Sequence, residues 1–183
     1  MTDICTQWTE CRAVWHKASP GIVAQVKDIE ANMPFRLLGF DCDNGSEFLN
    51  NNLKAYFSEK KKVHVDFTWT RSRPYKKNDN AHVEQKNWTH PRQLFGRDRL
   101  DFPQLIPLMN DLYANEFSLL RNHFFPNFKL HEKVLIRSRY RRKYQQPITP
   151  YQRVLESTFV SDQKKQELRD LHTTLDPILL SKT

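Results

Sequence analysis

A mixed α/β fold, a sheet flanked by helices, is predicted by three features of the 183-residue chain. Val63, Val65, Phe67 and Trp69 alternate with His64, Asp66 and Thr68, the period-two pattern of a strand with one buried face. Apolar residues recur at steps of three and four over 22–33 and again over 105–124, the pattern of half-buried helices. The two kinds of segment alternate along the chain, which indicates a layered α/β arrangement.

Residues 2–16 read as two strands joined by a tight turn near Thr6-Gln7, with Trp8, Cys11, Val14 and Trp15 supplying strand-forming bulk. Ser19-Pro20 has the form of a helix start, a hydroxyl cap followed by proline. The helix should run to about Met33 on Ile22, Val23, Val26, Ile29 and Met33. Phe35 to Phe40 suits a short buried strand, which Asp41-Cys42-Asp43-Asn44-Gly45-Ser46 then breaks. Ser46 should cap a second helix with Phe48, Leu49, Leu53, Tyr56 and Phe57 on one face. After the 63–69 strand, a polar loop from Thr70 to Asn80 leads into a helix containing Glu84 and ending near Phe95.

A longer helix is expected from Phe102-Pro103 to about Phe124, with Leu105, Met109, Leu112, Tyr113, Phe117, Leu120 and Phe124 as its stripe and Pro107 in its first turn. Beyond it, Lys133 to Arg137 suits a short strand, Pro147 and Pro150 flank an extended stretch, and Asp162 to Leu171 suits a charged helix.

Bulk properties narrow the function classes. Hydrophobic residues at 38% suffice for a core, yet no run approaches about 18 consecutive apolar residues, so no membrane span is expected. Residues 1–10 lack a basic stretch followed by an apolar run, so no signal peptide is expected. Cys5, Cys11 and Cys42 form no CxxC pair and read as strand thiols of a reducing compartment. The net charge is +8, and residues 128–153 carry +7 of it, eight basic residues against Glu132 alone. A local excess of that size suits a polyanionic partner.

Two carboxylates stand out. Asp43 follows a buried strand and precedes a glycine turn, where open α/β sheets place ligands. Glu84 lies on a helix after a basic loop containing Arg71, Arg73, Lys76 and Lys77. Paired hard oxygen ligands hold Mg²⁺ or Mn²⁺, and two such ions can clamp both oxygens of an in-line phosphoryl displacement. Taken singly, an Asp before Asn-Gly is ordinarily a turn residue and a helical Glu a solvated one.

The local sequences add to this. Asp43-Asn44-Gly45-Ser46-Glu47-Phe48 resembles the D-N-G-x-E-F signature of retroviral integrases and integrase-like bacterial transposases. Residues 72–87, through Lys76-Lys77-Asn78-Asp79-Asn80-Ala81-His82-Val83-Glu84, resemble the segment leading to the last catalytic Glu of insertion-sequence transposases. Thr2 to Glu10 resembles the hairpin of the second and third strands of that core, and Thr149-Pro150-Tyr151-Gln152-Arg153 resembles the tail of the same transposases.

The resemblance implies a ribonuclease H-like fold, a DDE triad with two Mg²⁺ (or Mn²⁺) ions, and cleavage and joining of DNA. In it Asp43 and Glu84 match the second and third triad carboxylates and would ligate metal. Asn44, Arg71, Arg73, Lys76, Lys77 and Lys86 would lie against DNA. It also implies homo-oligomers in intact members and a cytoplasmic, nucleoid-associated location.

The resemblance departs in two places. The family's first Asp lies on a strand upstream of the hairpin matched by residues 2–16, so the chain reads as an incomplete copy with little strand transfer of its own. Asp3 falls on the second-strand position, outside the triad, and Asp41 reads as structural. Pro91 also falls inside the Glu84 helix, where proline removes a hydrogen bond.

The expected organisation is a partial catalytic core over 1–100, a helical extension over 101–126 and a basic tail over 127–183. Arg137, Arg139, Arg141, Arg142 and Lys143 of that tail would contact DNA largely without regard to sequence. The alternatives are a non-catalytic DNA-binding module of transposase descent and a ribonuclease H-like nuclease. The first needs neither Asp43 nor Glu84, and the second would cleave without joining.

Overall fold

The computed structural model describes residues 1–15, 19–42, 51–71, 91–96 and 100–182. Within these the chain is mixed α/β, with helices and two small two-stranded sheets, and it divides into two compact units. Cys11–Tyr113 form one; Met1–Glu10 and Ala114–Thr183 form the other.

The first unit is built on a β-α-β arrangement. Helix α1 (Ser19–Asn32) buries Ile22, Val26 and Ile29 at helical steps. Strand β1 (Gly39–Cys42) pairs in parallel with β2 (Thr68–Arg71), and helix α2 (Asn51–Val63) lies between them in sequence. Parallel neighbours require a crossover connection, which is where α2 falls. Phe57 of α2 is the centre of this core, its ring 4.7 Å from Phe40, 5.4 Å from Phe67 and 5.7 Å from Trp69. Arg12 Nε donates to Asp28 Oδ2 at 2.5 Å, and Arg36 donates to both oxygens of Asp66. That guanidinium holds the Asp66 carboxyl below its ordinary range.

Three expectations need correction here. Strand β1 starts later than Phe35 and includes Asp41 and Cys42. The period-two run at 63–69 is not one strand. Val63 ends α2, Val63 and Val65 are exposed, and only Phe67 is deeply buried. Lys60, Lys61 and Lys62 fill the last turn of α2, where cations suit the helix dipole, and they carry the helix into the alternating segment. At the amino terminus, the two expected strands reduce to an antiparallel Thr2–Thr9 bridge. Its turn is held by Asp3 Oδ2, which accepts from the Thr6 amide at 2.6 Å and the Thr6 hydroxyl at 2.7 Å.

The Ser46 cap, Phe48 and Leu49 lie outside the described residues, as does the expected Glu84 helix before Pro91. Residues 91–92 are π-helical and lead into α3 (Gln93–Phe95), which Gly96 ends at φ +72°.

The long helix is α4 (Leu105–Leu112), a π-helical turn (Tyr113–Phe117) and α5 (Ser118–Phe124) in succession. Pro107 falls in the first turn. Of the expected stripe only Tyr113 is buried: Leu105, Met109, Leu112, Phe117, Leu120 and Phe124 are half-exposed, and the buried residues of α5 are Ser118, Asn122 and His123. A π turn inserts one extra residue. Within the second unit the buried face of α5 is made of polar side chains.

In the second unit, β3 (Leu130–Ile136) and β4 (Arg139–Tyr144) form an antiparallel hairpin. Helices α6 (Pro150–Glu156), α7 (Asp162–Thr174) and α8 (Pro177–Leu180) follow. Helix α5 packs against α6 and α8, and α6 against α7. Val154 is fully enclosed, and Trp8, Tyr151, Val160 and Leu168 are also buried in this unit. Thr149 begins α6 with a capping box, its hydroxyl accepting from the Gln152 amide and its own amide donating to the Gln152 side chain. Strand β4, α6 and α8 were not expected from the sequence; between Pro147 and Pro150 the chain is extended as expected, with Ile148 bridged to Asn127 and Thr149 extended, and α6 starts at Pro150.

Candidate nucleic-acid interface

Two regions carry the expected chemistry. The first is the carboxyl end of the β1–β2 pair. Cys42 is the last residue of β1 and pairs with Arg71, the last residue of β2. The Arg71 guanidinium lies 5.2 Å from the Trp69 ring centre and is exposed. Asp41 is held in a local contact, its Oδ1 accepting from the Thr70 hydroxyl at 2.7 Å across the pair. Gly39 is required by close approach: a Cβ there would lie 2.6 Å from Thr68 Oγ1 and 3.1 Å from Thr68 O.

Asp43, the next residue after β1, lies outside the described residues, as do Asn44, Arg73, Lys76, Lys77, Glu84 and Lys86. Among the described residues no group of three or more His, Cys, Asp or Glu could hold a metal ion. The two carboxylates of the motifs are themselves hard oxygen donors suited to Mg²⁺ or Mn²⁺.

The second region is the β3–β4 hairpin. Every residue of both strands is exposed. Arg137 occupies the two-residue turn at φ +57°, a left-handed position at which most non-glycine residues are disfavoured. The eight basic residues of 128–153 separate into two groups. Lys133, Arg137, Arg139, Arg141, Arg142 and Lys143 project from the hairpin into solvent.

Lys129 and Arg153 instead serve the fold. Lys129 Nζ donates to Cys5 O at 2.7 Å. Arg153, on α6, is buried and donates to Asn127 O at 2.7 Å and Ile148 O at 3.2 Å, the two residues that bridge the hairpin stem. Burial pushes the Arg153 guanidinium down from its ordinary pKa. The hairpin is therefore fixed at its base by a buried cation and free along its length.

An aromatic and imidazole stack lies in the same unit. His123 Nδ1 is 3.1 Å from His172 Nδ1, and both rings stack on Tyr151 with centroids at 4.9 and 4.3 Å. Trp8 meets His123 edge-on at 5.6 Å. Burial, then the neighbouring His172, push the His123 pKa down to about 4.

The chain is 37% identical over 153 residues to an uncharacterized protein, y4rM, of Sinorhizobium fredii. The match takes in 84% of this chain and 42% of that protein, so the chain spans about two-fifths of the length of this relative. No family profile matches the sequence, and no solved structure matches it.

Among the described residues no helix is long and apolar enough to cross a membrane. The inward roles of Lys129 and Arg153 were missed by counting charge. Thr149-Pro150-Tyr151-Gln152 held the signal for Arg153, because a capping box there makes α6 a helix and turns residue 153 onto its buried face.

Proposed function

We propose that this chain is a DNA-processing core of the DDE transposase/integrase lineage, with ribonuclease H-like layering around β1 and β2. Asp43 and Glu84 would hold Mg²⁺ or Mn²⁺, and the basic hairpin would hold DNA. The observation that carries this reading is the parallel β1-α2-β2 unit, whose first strand ends at Cys42, directly before the Asp43-Asn44-Gly45-Ser46-Glu47-Phe48 motif. Ligand sites of open α/β sheets lie beyond such strand ends. Arg71 at the end of the neighbouring strand supplies a cation suited to phosphate beside that position.

Bound metal would supply Lewis acidity for phosphoryl transfer. The chain's own residues would ligate it (Asp43, Glu84), shape the turn (Asn44, Gly45) and position the DNA backbone (Arg71, Arg73, Lys76, Lys77, Lys86). Intact members of the lineage would act as homo-oligomers in the cytoplasm on nucleoid DNA.

The exposed hairpin favours one further reading, a DNA-binding module that does not use the carboxylates. Mn²⁺ binding, followed by electron paramagnetic resonance with and without DNA, separates the two. The lineage reading expects Mn²⁺ binding that Asp43→Asn and Glu84→Gln each weaken strongly. Mn²⁺ binding unaffected by both substitutions removes the metal site and leaves the binding module.

A further inference from the structure

The register of the hairpin sorts its side chains into two unlike faces. Cross-strand partners share a face, and neighbours along a strand alternate. Arg139, Arg141 and Lys143 therefore line one face, opposite Ile136, Val134 and Glu132. Tyr140, Arg142 and Tyr144 line the other, with Leu135 and Lys133 across from the first two. Phe128 extends the second face beyond the strand end, its ring edge-on to Tyr144 at 6.2 Å. Lys133 Nζ lies 4.3 Å from the Tyr140 ring centre.

These rings are not part of the core: Phe128 is 70% exposed, Tyr140 60% and Tyr144 50%. Three exposed aromatic rings beside two cations form a platform and a phosphate clamp on one surface. Duplex DNA offers its phosphates to the cationic face, but its bases are stacked on one another and cannot reach a ring. Unpaired bases can, and aromatic stacking with nearby Lys or Arg is how sequence-tolerant single-strand binders work.

We infer that the Tyr140–Tyr144 face of the hairpin binds single-stranded DNA by stacking unpaired bases on Tyr140, Tyr144 and Phe128, with Lys133 and Arg142 on the phosphates. This rests on the DNA reading above and adds the strand state to it. Lys133 leaves the Tyr140 ring for a phosphate when a base arrives. A second copy is the less suited occupant. Pairing β4 with its own copy would set Arg139, Arg141, Arg142 and Lys143 against the same cations, and like charges across strands destabilise pairing. The Lys133–Arg142 cross-strand pair already carries that cost, which an anion relieves.

The test is fluorescence anisotropy of the full chain with a labelled oligothymidine and with a duplex of equal length. Tyr140→Leu/Tyr144→Leu is expected to lose roughly tenfold or more in oligothymidine affinity and little in duplex affinity, while Tyr140→Phe/Tyr144→Phe keeps both. Both pairs are solvent-exposed, so neither disturbs the core. Oligothymidine binding unchanged by the Leu pair, or lost equally with the Phe pair, overturns the platform. If both DNA forms bind alike and only Arg139→Gln/Arg141→Gln/Lys143→Gln weakens them, the platform is overturned while the DNA reading stands. If neither form binds, the DNA reading itself fails. A dimer in sedimentation that the Leu pair dissolves, without oligothymidine binding, assigns the face to a second copy instead.

Discussion

Asn122 grips Thr9 by both of its backbone polar groups: Oδ1 accepts from the Thr9 amide at 2.9 Å and Nδ2 donates to the Thr9 carbonyl at 3.0 Å. The Thr2–Thr9 bridge leaves those two groups unpaired. Its backbone hydrogen bonds come from Asp3 to Trp8 and from Glu10 to Met1, so the Thr9 amide and carbonyl face away from Thr2. The carboxamide takes the place of a third strand. Asn110 holds Ala13 in the same manner, at 2.6 and 3.1 Å.

Replacing Asn122 therefore strands a buried donor and a buried acceptor together. Asn122→Ala is expected to lower stability by roughly 2–4 kcal/mol, read from urea unfolding. Asn122→Asp should be no milder, because it offers an oxygen to the Thr9 carbonyl. A loss within about 0.5 kcal/mol for either, the range of ordinary surface changes, would mean that water replaces the carboxamide.

Imidazole burial gives the same unit a pH dependence. His123 is enclosed by Trp8, Tyr151 and His172, and its pKa is pushed from 6.5 down to about 4. Between those values the unfolded chain binds more protons than the folded one, so stability is full above pH 6.5 and falls as the pH falls to about 4. A shift of that size corresponds to roughly 3 kcal/mol. His123→Phe keeps a ring in the stack and removes the titration. Thermal unfolding from pH 7 to 4 should show a shallower fall for the variant, and parallel curves would place the acid sensitivity elsewhere.

How far the sequence foretold these features depends on which force decided each one. Helix α1 was legible because Ile22, Val26 and Ile29 repeat at the helical period behind a Ser-Pro start, and α7 because its charged run has the pattern of a surface helix. The alternation at 63–69 misled, since Val63 and Val65 are exposed and the lysines of α2 continue the helix into it. Of the long helix's stripe only Tyr113 is buried, and a π turn that no local residue pattern signals begins there.

Strand β4 was hidden differently. Arg-Tyr-Arg-Arg-Lys-Tyr has no apolar alternation, and Arg137-Ser138 lacks the Gly or Asn that marks a tight hairpin turn. For the candidate site, the Asp43 and Glu84 motifs were readable as sequence, and the structure adds the end of β1 at Cys42 and its pairing with Arg71.

That strand end has a steric test. Gly39 faces Thr68 across the β1–β2 pair so closely that an added Cβ would meet Thr68 Oγ1 at 2.6 Å. Gly39→Ala is expected to cost about 1–3 kcal/mol, the range for an overpacked core. Thr68→Ala removes the nearer atom and leaves Thr68 O at 3.1 Å, so the double variant should recover part of the loss. Unfolding measurements on the four chains give the coupling directly. Strict additivity would show that the strands separate to admit the methyl group rather than clash with it.

Arg153 offers a way to detach the hairpin without touching any residue that faces DNA. Its two amine ends hold Asn127 O and Ile148 O at the stem, and the hairpin makes little other use of the helices. Arg153→Met keeps the length and apolar stem of the side chain and deletes both donors. The Asn127 and Gln145 amides, which close the stem onto Ile148 O and Lys129 O, should then exchange with deuterium at least about tenfold faster. Loss of one to two such charged hydrogen bonds corresponds to roughly 1.5–3 kcal/mol. Amides of α5 should keep their protection, because Val154 and Tyr151 still fill the core beneath it. DNA affinity should fall as well, although Arg153 is buried, since a loosened ribbon must be ordered again on binding. If the stem amides stay protected and affinity does not change, strand pairing alone holds the hairpin and the buried guanidinium serves only α6.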